Sequence, residues 1–420
     1  MHNLRTVILA AGKGTRMESD VPKVLHEICG KPIVQYVLDA AKAVGSLKTY
    51  VVVGYKGDLV RKRLGVGPVM VRQPKLSGTA DAVRRVVGHL KNYRGDVLIL
   101  CGDTPLLNKA VIKELVGKHK RSKAVCTFLT ATMGDPQGYG RIIRDEVGKV
   151  VAIREDKDAL ERERNIAEIN VGVYCVQSRG LFSALKRIRL NEKKKEFYLT
   201  DIINLFHQDG LRIETVSTED PVEGLGVNTK EDLAIAERVI REKILKNFMH
   251  DGVTIVDPAT TYIDADVKIG KDTCIRPFTI IEKDVRIGGR CVIGPFARLR
   301  PGVRIGNGVE IGNFTEVSRT KIGNKTRMKH FSFLGDALVG DGVNIGAGTI
   351  TANYDGVRKS QTKIGNGAFI GSDAILIAPV KIGNKAVVGA GSVVTKGKVV
   401  PDGGIAVGVP AKIKVRRKQG

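Results

Sequence analysis

The chain has 420 residues, 42% hydrophobic and 27% charged, a balance that suits two or three globular domains. No apolar run approaches the roughly 18 residues of a membrane helix, and the apolar stretch ahead of Gly12 is too short for a signal-peptide core, so a cytoplasmic protein without membrane partners is expected. Lys and Arg outnumber Asp and Glu 69 to 44, a net charge of +25; the cations are dispersed and lack aromatic interleaving, which favours small polyanions (nucleoside triphosphates, sugar phosphates, coenzyme A) over nucleic acid.

Residues 1–228 alternate short apolar runs with amphipathic stretches. Thr6–Leu9, Tyr50–Val53 and Val97–Leu100 read as strands buried on both faces, and Val34, Val37, Leu38 and Ala41 between them carry helical spacing. The pattern predicts an α/β domain with a mostly parallel sheet, whose ligands lie beyond the carboxyl ends of the strands. After the first strand comes Leu9-Ala10-Ala11-Gly12-Lys13-Gly14-Thr15-Arg16-Met17, then Pro22-Lys23. Glycines there let backbone N–H groups approach phosphate oxygens, while Lys13, Arg16 and Lys23 offset charge on a departing pyrophosphate. The string is neither a Walker A loop nor GxGxxG.

The third strand runs into Cys101-Gly102-Asp103-Thr104-Pro105. Asp103 there serves either as the cap of a following helix or as a Mg²⁺ ligand, with Asn228 as a second oxygen donor. The six cysteines (29, 101, 126, 175, 274, 291) show no CxxC or CxxH spacing, so reduced thiols and no zinc site are expected.

Residues 229–251 predict one connecting helix. Asn228 to Asp232 supply its capping signal, and Leu233, Ala236, Val239, Ile240, Ile244 and Phe248 form its apolar stripe. From 252 to 420 the chain is repetitive. Ile-Gly or Val-Gly pairs begin at 269, 287, 293, 305, 311, 322, 339, 345, 364, 370, 382 and 388, and all gaps but three are multiples of six. That period is the hexapeptide repeat of a parallel β-helix, with the aliphatic residue inward and glycine at the corner. The broken gaps of 11, 17 and 19 fall between 312 and 364, a window holding Lys329, His330, Asn353, Tyr354 and Lys359. Interruptions of a regular repeat tend to mark function. A single dense basic run, Lys412 to Lys418, lies near the C-terminus.

In this order, LAAGKGTRM, PKVLH, SGTADAV, CGDTPLL, GYGRI, EINVGVY, EFYLTDII and VEGLGVN resemble the N-terminal half of the bacterial bifunctional N-acetylglucosamine-1-phosphate uridylyltransferase / glucosamine-1-phosphate N-acetyltransferase family. ARLRPG, GNFTEV, LGDALVGDGVNIGAGTITANYDG, FIGSD and VGAGSVV resemble its C-terminal half, so the likeness covers nearly the whole chain. It implies a Rossmann-like nucleotidyltransferase domain followed by a left-handed parallel β-helix. It further implies Mg²⁺ as cofactor, UTP, N-acetylglucosamine-1-phosphate, glucosamine-1-phosphate and acetyl-CoA as substrates, and a homotrimer.

Carried over position by position, the resemblance implies that Leu9, Ala10, Ala11, Gly12, Lys13 and Lys23 hold the nucleotide and that Gln73, Gly78 and Thr79 read uracil. Cys101, Gly102, Asp103 and Asn228 complete the site, with Asp103 and Asn228 holding Mg²⁺. Arg16 and Lys23 assist the chemistry. Gly140, Glu155 and Asn170 contact the N-acetylglucosamine moiety; from the residues alone, Glu155 also reads as solvated and Asn170 as a strand-end turn residue. In the second half His330 would be the acetyl-transfer base, Arg300 and Lys359 would bind the sugar phosphate, and Asn353 would orient the acetyl carbonyl. Asn344, Ala347, Tyr354, Ser372 and Ala390 fall at substrate and acetyl-CoA contacts.

Two positions depart from the family. Ser318 stands where a lysine is usual and Phe333 where a tyrosine is usual. Strand alternation would turn the adjacent Arg319 to the opposite side, so weaker glucosamine-1-phosphate binding is expected. An alternative is a sugar-1-phosphate nucleotidyltransferase whose β-helix is only a trimerisation platform or acetylates another acceptor.

Overall fold

The computed structural model describes residues 3–414 and divides into two compact units, one ending at Glu237 and one beginning at Arg238. The part of the basic run beyond Lys414 lies outside the described residues.

In the first unit the central strands order as Ile213–Thr218, Cys126–Thr132, Glu168–Gln177, Asp96–Cys101, Leu4–Ala10, Lys48–Val53 and Val69–Arg72. Glu168–Gln177 is antiparallel to both neighbours, and the other pairs are parallel. Side chains alternate across the sheet into two separate cores. Val7, Val52, Val97 and Ile99 enter one; Leu4, Ile8, Val51, Leu98 and Leu100 enter the other. Burial on both faces is why these strands are continuously apolar. A hairpin, Arg141–Arg144 with Val150–Arg154, pairs onto Glu168–Gln177.

The helix Lys230–His250 runs across the boundary between the units. Its start is closed reciprocally: Asp232 N donates to Thr229 Oγ1 (3.0 Å) and Thr229 N to the Asp232 carboxylate (2.9 Å). The apolar stripe read from the sequence is present, with Leu245 as a further buried residue that it omitted.

The second unit is a three-faced β-helix, each face a ladder of short parallel strands one coil apart. Ile275, Ile293 and Ile311 stack inward on the first face, Ile281, Leu299 and Val317 on the second, and Ile287, Ile305 and Ile322 on the third. Along the corner after the third face, side-chain oxygens of Asn307, Asn324, Asp341, Asn366, Asn384 and Asp402 each accept a backbone N–H from the coil before. This ladder satisfies donors that the turns would otherwise strand.

Glycine is obligatory where coils approach closely. A Cβ on Gly312 would lie 1.8 Å from the Lys329 carbonyl oxygen of the next coil. Backbone cannot yield as a side-chain tip can, so Gly312→Ala is expected to cost about 3 kcal/mol, the upper end for overpacking. A lowered urea midpoint for the β-helix, with the first unit unchanged, checks this.

The first coil differs at the corner between the first and second faces, where Ile255 and Ile263 are eight apart. From Ile275 onward the repeat breaks at one corner, between the second and third faces. Inward residues there are normally six apart, as in Leu299 to Ile305, but Val317 to Ile322 and Leu334 to Val339 are five apart and Thr351 to Ile364 thirteen. His330 is therefore not in a break, contrary to expectation. It occupies a regular corner between Met328 and Leu334. The broken corner carries Ser318-Arg319, Gly335-Asp336 and the loop from Asn353 to Ser360.

Candidate active sites

At the carboxyl ends of the strands Leu4–Ala10 and Asp96–Cys101 lies a cleft of about 430 Å³ lined by Leu9, Ala10, Ala11, Gly12, Lys13, Lys23, Gln73, Gly78, Thr79, Cys101, Asp103 and Glu155. These twelve expected residues come from segments far apart in sequence. Gly102, Gly140, Asn170, Asn228 and Arg16 do not line it. Gly102 packs against the Leu9 carbonyl, which its N–H reaches at 2.9 Å, and a Cβ there would collide with it. Arg16 is exposed on a short 3-10 turn, Thr15–Met17.

The cleft's electrostatic centre is Lys23, whose side chain is only 12% exposed. Its ammonium is ion-paired with the Asp103 carboxylate and donates to Asn228 Oδ1 at 3.0 Å. Two oxygen donors from distant elements thus converge on one cation, a donor set of one carboxylate and one amide that fits Mg²⁺. Asp103 is not a helix cap; Asn108 caps the helix Lys109–Ser122, accepting from Ala110 N at 2.9 Å. Asn228 is tethered by its N–H to Asp232 (2.8 Å) and its Nδ2 to Gly226 O (3.0 Å), which leaves Oδ1 aimed inward.

Gln73 is almost wholly buried, and its Nε2 donates to Gly78 O (3.1 Å) and Asp81 Oδ2 (2.9 Å). Both partners are acceptors, so the amide orientation is set and Oε1 is the end left to accept. Glu155 is half-buried rather than solvated. Burial raises its carboxyl pKa, against the Thr200 hydroxyl that donates to it at 2.8 Å. Asn170 lies within the strand at a bulge, not at a strand end. Its Oδ1 accepts from Gly172 N, its Nδ2 donates to Tyr174 Oη at 2.7 Å, and its backbone N–H bonds Gly140 O at 2.8 Å. Burial pushes the Cys101 thiol up to about 12, so it is no nucleophile.

Glu196 and Tyr198, which no sequence signal picks out, also line the cleft. Their segment is strapped across the Gly78 turn: Ala80 N bonds Phe197 O at 3.0 Å and Leu199 N bonds Thr79 Oγ1 at 2.9 Å. A Cβ on Gly78 would strike that backbone at 2.4 Å. The string EFYLTDII contains both, but its approach to Gly78 is a contact across 120 residues.

On the β-helix the expected acetyl-site residues fall in two columns. Ala347, Ser372 and Ala390 occupy successive turns of the corner that also holds His330. Gly348 N bonds Phe331 O (2.7 Å), Asp373 N bonds Ala347 O (2.6 Å) and Gly391 N bonds Ser372 O (2.8 Å). His330, Ser372 and Ala390 are exposed there, and Asn344 is half-exposed on the first face. The other column is the broken corner. Arg300 pairs with Glu316 at 2.8 Å, and Asn353 Nδ2 donates to the Asp336 carboxylate. Tyr354 and Lys359 close the inserted loop by an antiparallel bridge.

Arg319 corrects one expectation. The strand ends at Ser318, and Arg319 turns left-handed with φ 47°, so strand alternation does not extend to it. Its guanidinium returns over Ser318, donating from Nη1 to Ser318 Oγ (2.8 Å) and bidentately to Asp336 (2.6 and 2.9 Å). The Arg319 hydrogen bonds hold the Asp336 carboxyl below its usual pKa.

Comparisons with known proteins agree with this architecture. The MobA-like NTP transferase domain family matches residues 6–199, and the bacterial transferase hexapeptide (six repeats) family matches 284–319 and 361–396. The bifunctional protein GlmU of Pelotomaculum thermopropionicum is 44% identical over 413 residues, covering 90% of this chain and 90% of that protein. The protein of the same name from Geobacillus thermodenitrificans is 44% identical over 435 residues, covering 96% and 94%, and that of Heliobacterium modesticaldum 42% over 440 residues, covering 97% and 96%.

Proposed function

Because the chain belongs to the family of the bifunctional GlmU proteins, we propose that its β-helix N-acetylates glucosamine-1-phosphate and its first unit then joins the product to UTP. UDP-N-acetylglucosamine and pyrophosphate result. The convergence of Lys23, Asp103 and Asn228 at the mouth of the Gly12–Gly14 loop carries the reading.

In the first unit the sugar-phosphate oxygen attacks the α-phosphorus of UTP; one P–O bond forms as that to pyrophosphate breaks. Asp103 and Asn228 would hold a Mg²⁺ ion, which would supply charge neutralisation for the phosphates. The backbone of Leu9 to Gly12 cradles them, Lys13 and Arg16 flank the leaving group, and Lys23 is freed to contact phosphate. Gln73 Oε1, being acceptor only, suits the imide N–H of uracil. Gly140, Glu155 and Asn170 border the sugar end.

In the second unit His330 takes the proton from the attacking amine as its nitrogen bonds the thioester carbonyl carbon and coenzyme A leaves as the thiol. The open corner of Ala347, Ser372 and Ala390 leaves room for the pantetheine arm. Arg300 and Lys359 hold the sugar phosphate, and Arg319 keeps a guanidinium beside Ser318, where the family's lysine is missing. The proposal includes a homotrimer, for which the exposed column Phe278, Phe296 and Phe314, whose rings stack at 4.8 and 4.9 Å, offers an apolar contact surface.

Two assays on one preparation test this: UTP with N-acetylglucosamine-1-phosphate, and acetyl-CoA with glucosamine-1-phosphate. Both are expected to proceed. Pyrophosphate release without coenzyme A release would reduce the β-helix to an assembly platform.

A further inference from the structure

The dispersal of cations along the sequence disappears in the fold. On the third face of the β-helix the outward residues of successive strands, in register, are Lys268, Arg286, Arg304, Lys321, Leu338, Lys363, Lys381 and Val399. Six of these eight are cations, and no strand of that face holds an acidic residue. Residues one coil apart in sequence become neighbours in space, so scattered lysines form a straight column. At about 4.8 Å per coil it runs about 29 Å from Lys268 to Lys381.

Like charges in register on adjacent strands repel, and elsewhere the β-helix avoids this. On the second face Arg298 lies in register with Glu316 and pairs with Glu282 at 2.7 Å; on the first, Arg327 lies in register with Glu310 and pairs with it at 3.3 Å. On the third face, among the described residues, only Arg304 is ion-paired, with Asp284. Lys321, Lys363 and Lys381 are exposed and line a depression of about 430 Å³ together with Leu338 and, at the following corner, one carboxylate, Asp402.

We propose that this face docks single-stranded nucleic acid along its phosphate backbone. The cations stand in single file, which fits a linear polyanion. A duplex backbone would wind away from a straight column. A bilayer fits poorly: a planar anionic surface would also press on Asp266 and Asp284 at the bordering corner. The exposed phenylalanines that could anchor in lipid lie on a different corner. With no aromatic side chain on the third face to stack on bases, recognition is electrostatic and sequence-independent. The column takes no part in either active site, so this inference stands apart from the proposed function.

The test is fluorescence anisotropy of the intact protein with a labelled oligothymidine of about 30 nucleotides, at several salt concentrations. Lys321→Gln, Lys363→Gln and Lys381→Gln are combined in one variant. A control combines Lys62→Gln, Lys113→Gln and Lys193→Gln, three exposed lysines of the first unit that lower net charge equally. All six side chains are exposed, so both variants should fold and retain both activities. The column variant is expected to bind at least tenfold more weakly, with a salt slope shallower by about two, since each phosphate left without its cation removes about 0.7 from the slope. The control should stay within threefold of the parent. Equal weakening in the two variants, or no salt-sensitive binding by the parent at about 0.1 M salt, would overturn the proposal. So would binding to phosphatidylglycerol vesicles, in place of the oligonucleotide, through these same lysines.

Discussion

Asp103→Ala is expected to lower uridylyl transfer by at least about a thousandfold while acetyl transfer stays within twofold of the parent. Among the described residues Asp103 is the only carboxylate paired with Lys23, and with Asn228 it forms the pair of oxygen donors converging at the phosphate loop. Its removal takes away a metal donor and leaves the Lys23 ammonium buried beside an amide alone. Losing about 4 kcal/mol of charge stabilisation in the transition state corresponds to about three powers of ten in rate. Asp103→Asn separates charge from shape, since it keeps a donor oxygen and the side-chain volume. It should fall nearly as far as alanine and recover in part as Mg²⁺ is raised. Pyrophosphate release measures both. If the alanine variant kept a tenth of the parent rate, the metal and phosphate assignment would be wrong.

His330→Ala should do the converse, cutting acetyl transfer by two to four powers of ten, the range for loss of a general base, with uridylyl transfer untouched. His330 is exposed at a regular corner, so removing its ring opens no cavity in the β-helix core. Added imidazole should restore part of the activity, because a small base can reach an open corner. Coenzyme A release, measured by thiol trapping, reads the result. A variant retaining full acetyl transfer would shift the base elsewhere. Independence of the two effects comes from the fold: each site belongs to a unit with its own core.

Much of the first site was legible because its parts are local. One apolar run ends in Gly12-Lys13-Gly14 and another in Gly102-Asp103, and in each the glycine and charge sit directly beside the strand that positions them. Glu196 and Tyr198 were not legible, because they reach the cleft only through the strap over Gly78. For His330 the resemblance points to a base, while the local signal, a break in the repeat, lies at the neighbouring corner instead. Arg319 escapes strand alternation because it stands one residue past the strand's end, where φ is positive.

What the sequence determined by itself was periodicity and order: buried strands, a glycine-rich turn after the first, one capped helix, and a hexapeptide coil, all set by steric and burial rules acting over a few neighbours. Only the tertiary structure decided which distant groups meet. Lys23 finds Asp103 across 80 positions and Asn228 across 205, and lysines a coil apart align into one charged column. Such meetings depend on how strands pair and coils stack, and no short stretch of chain contains that information.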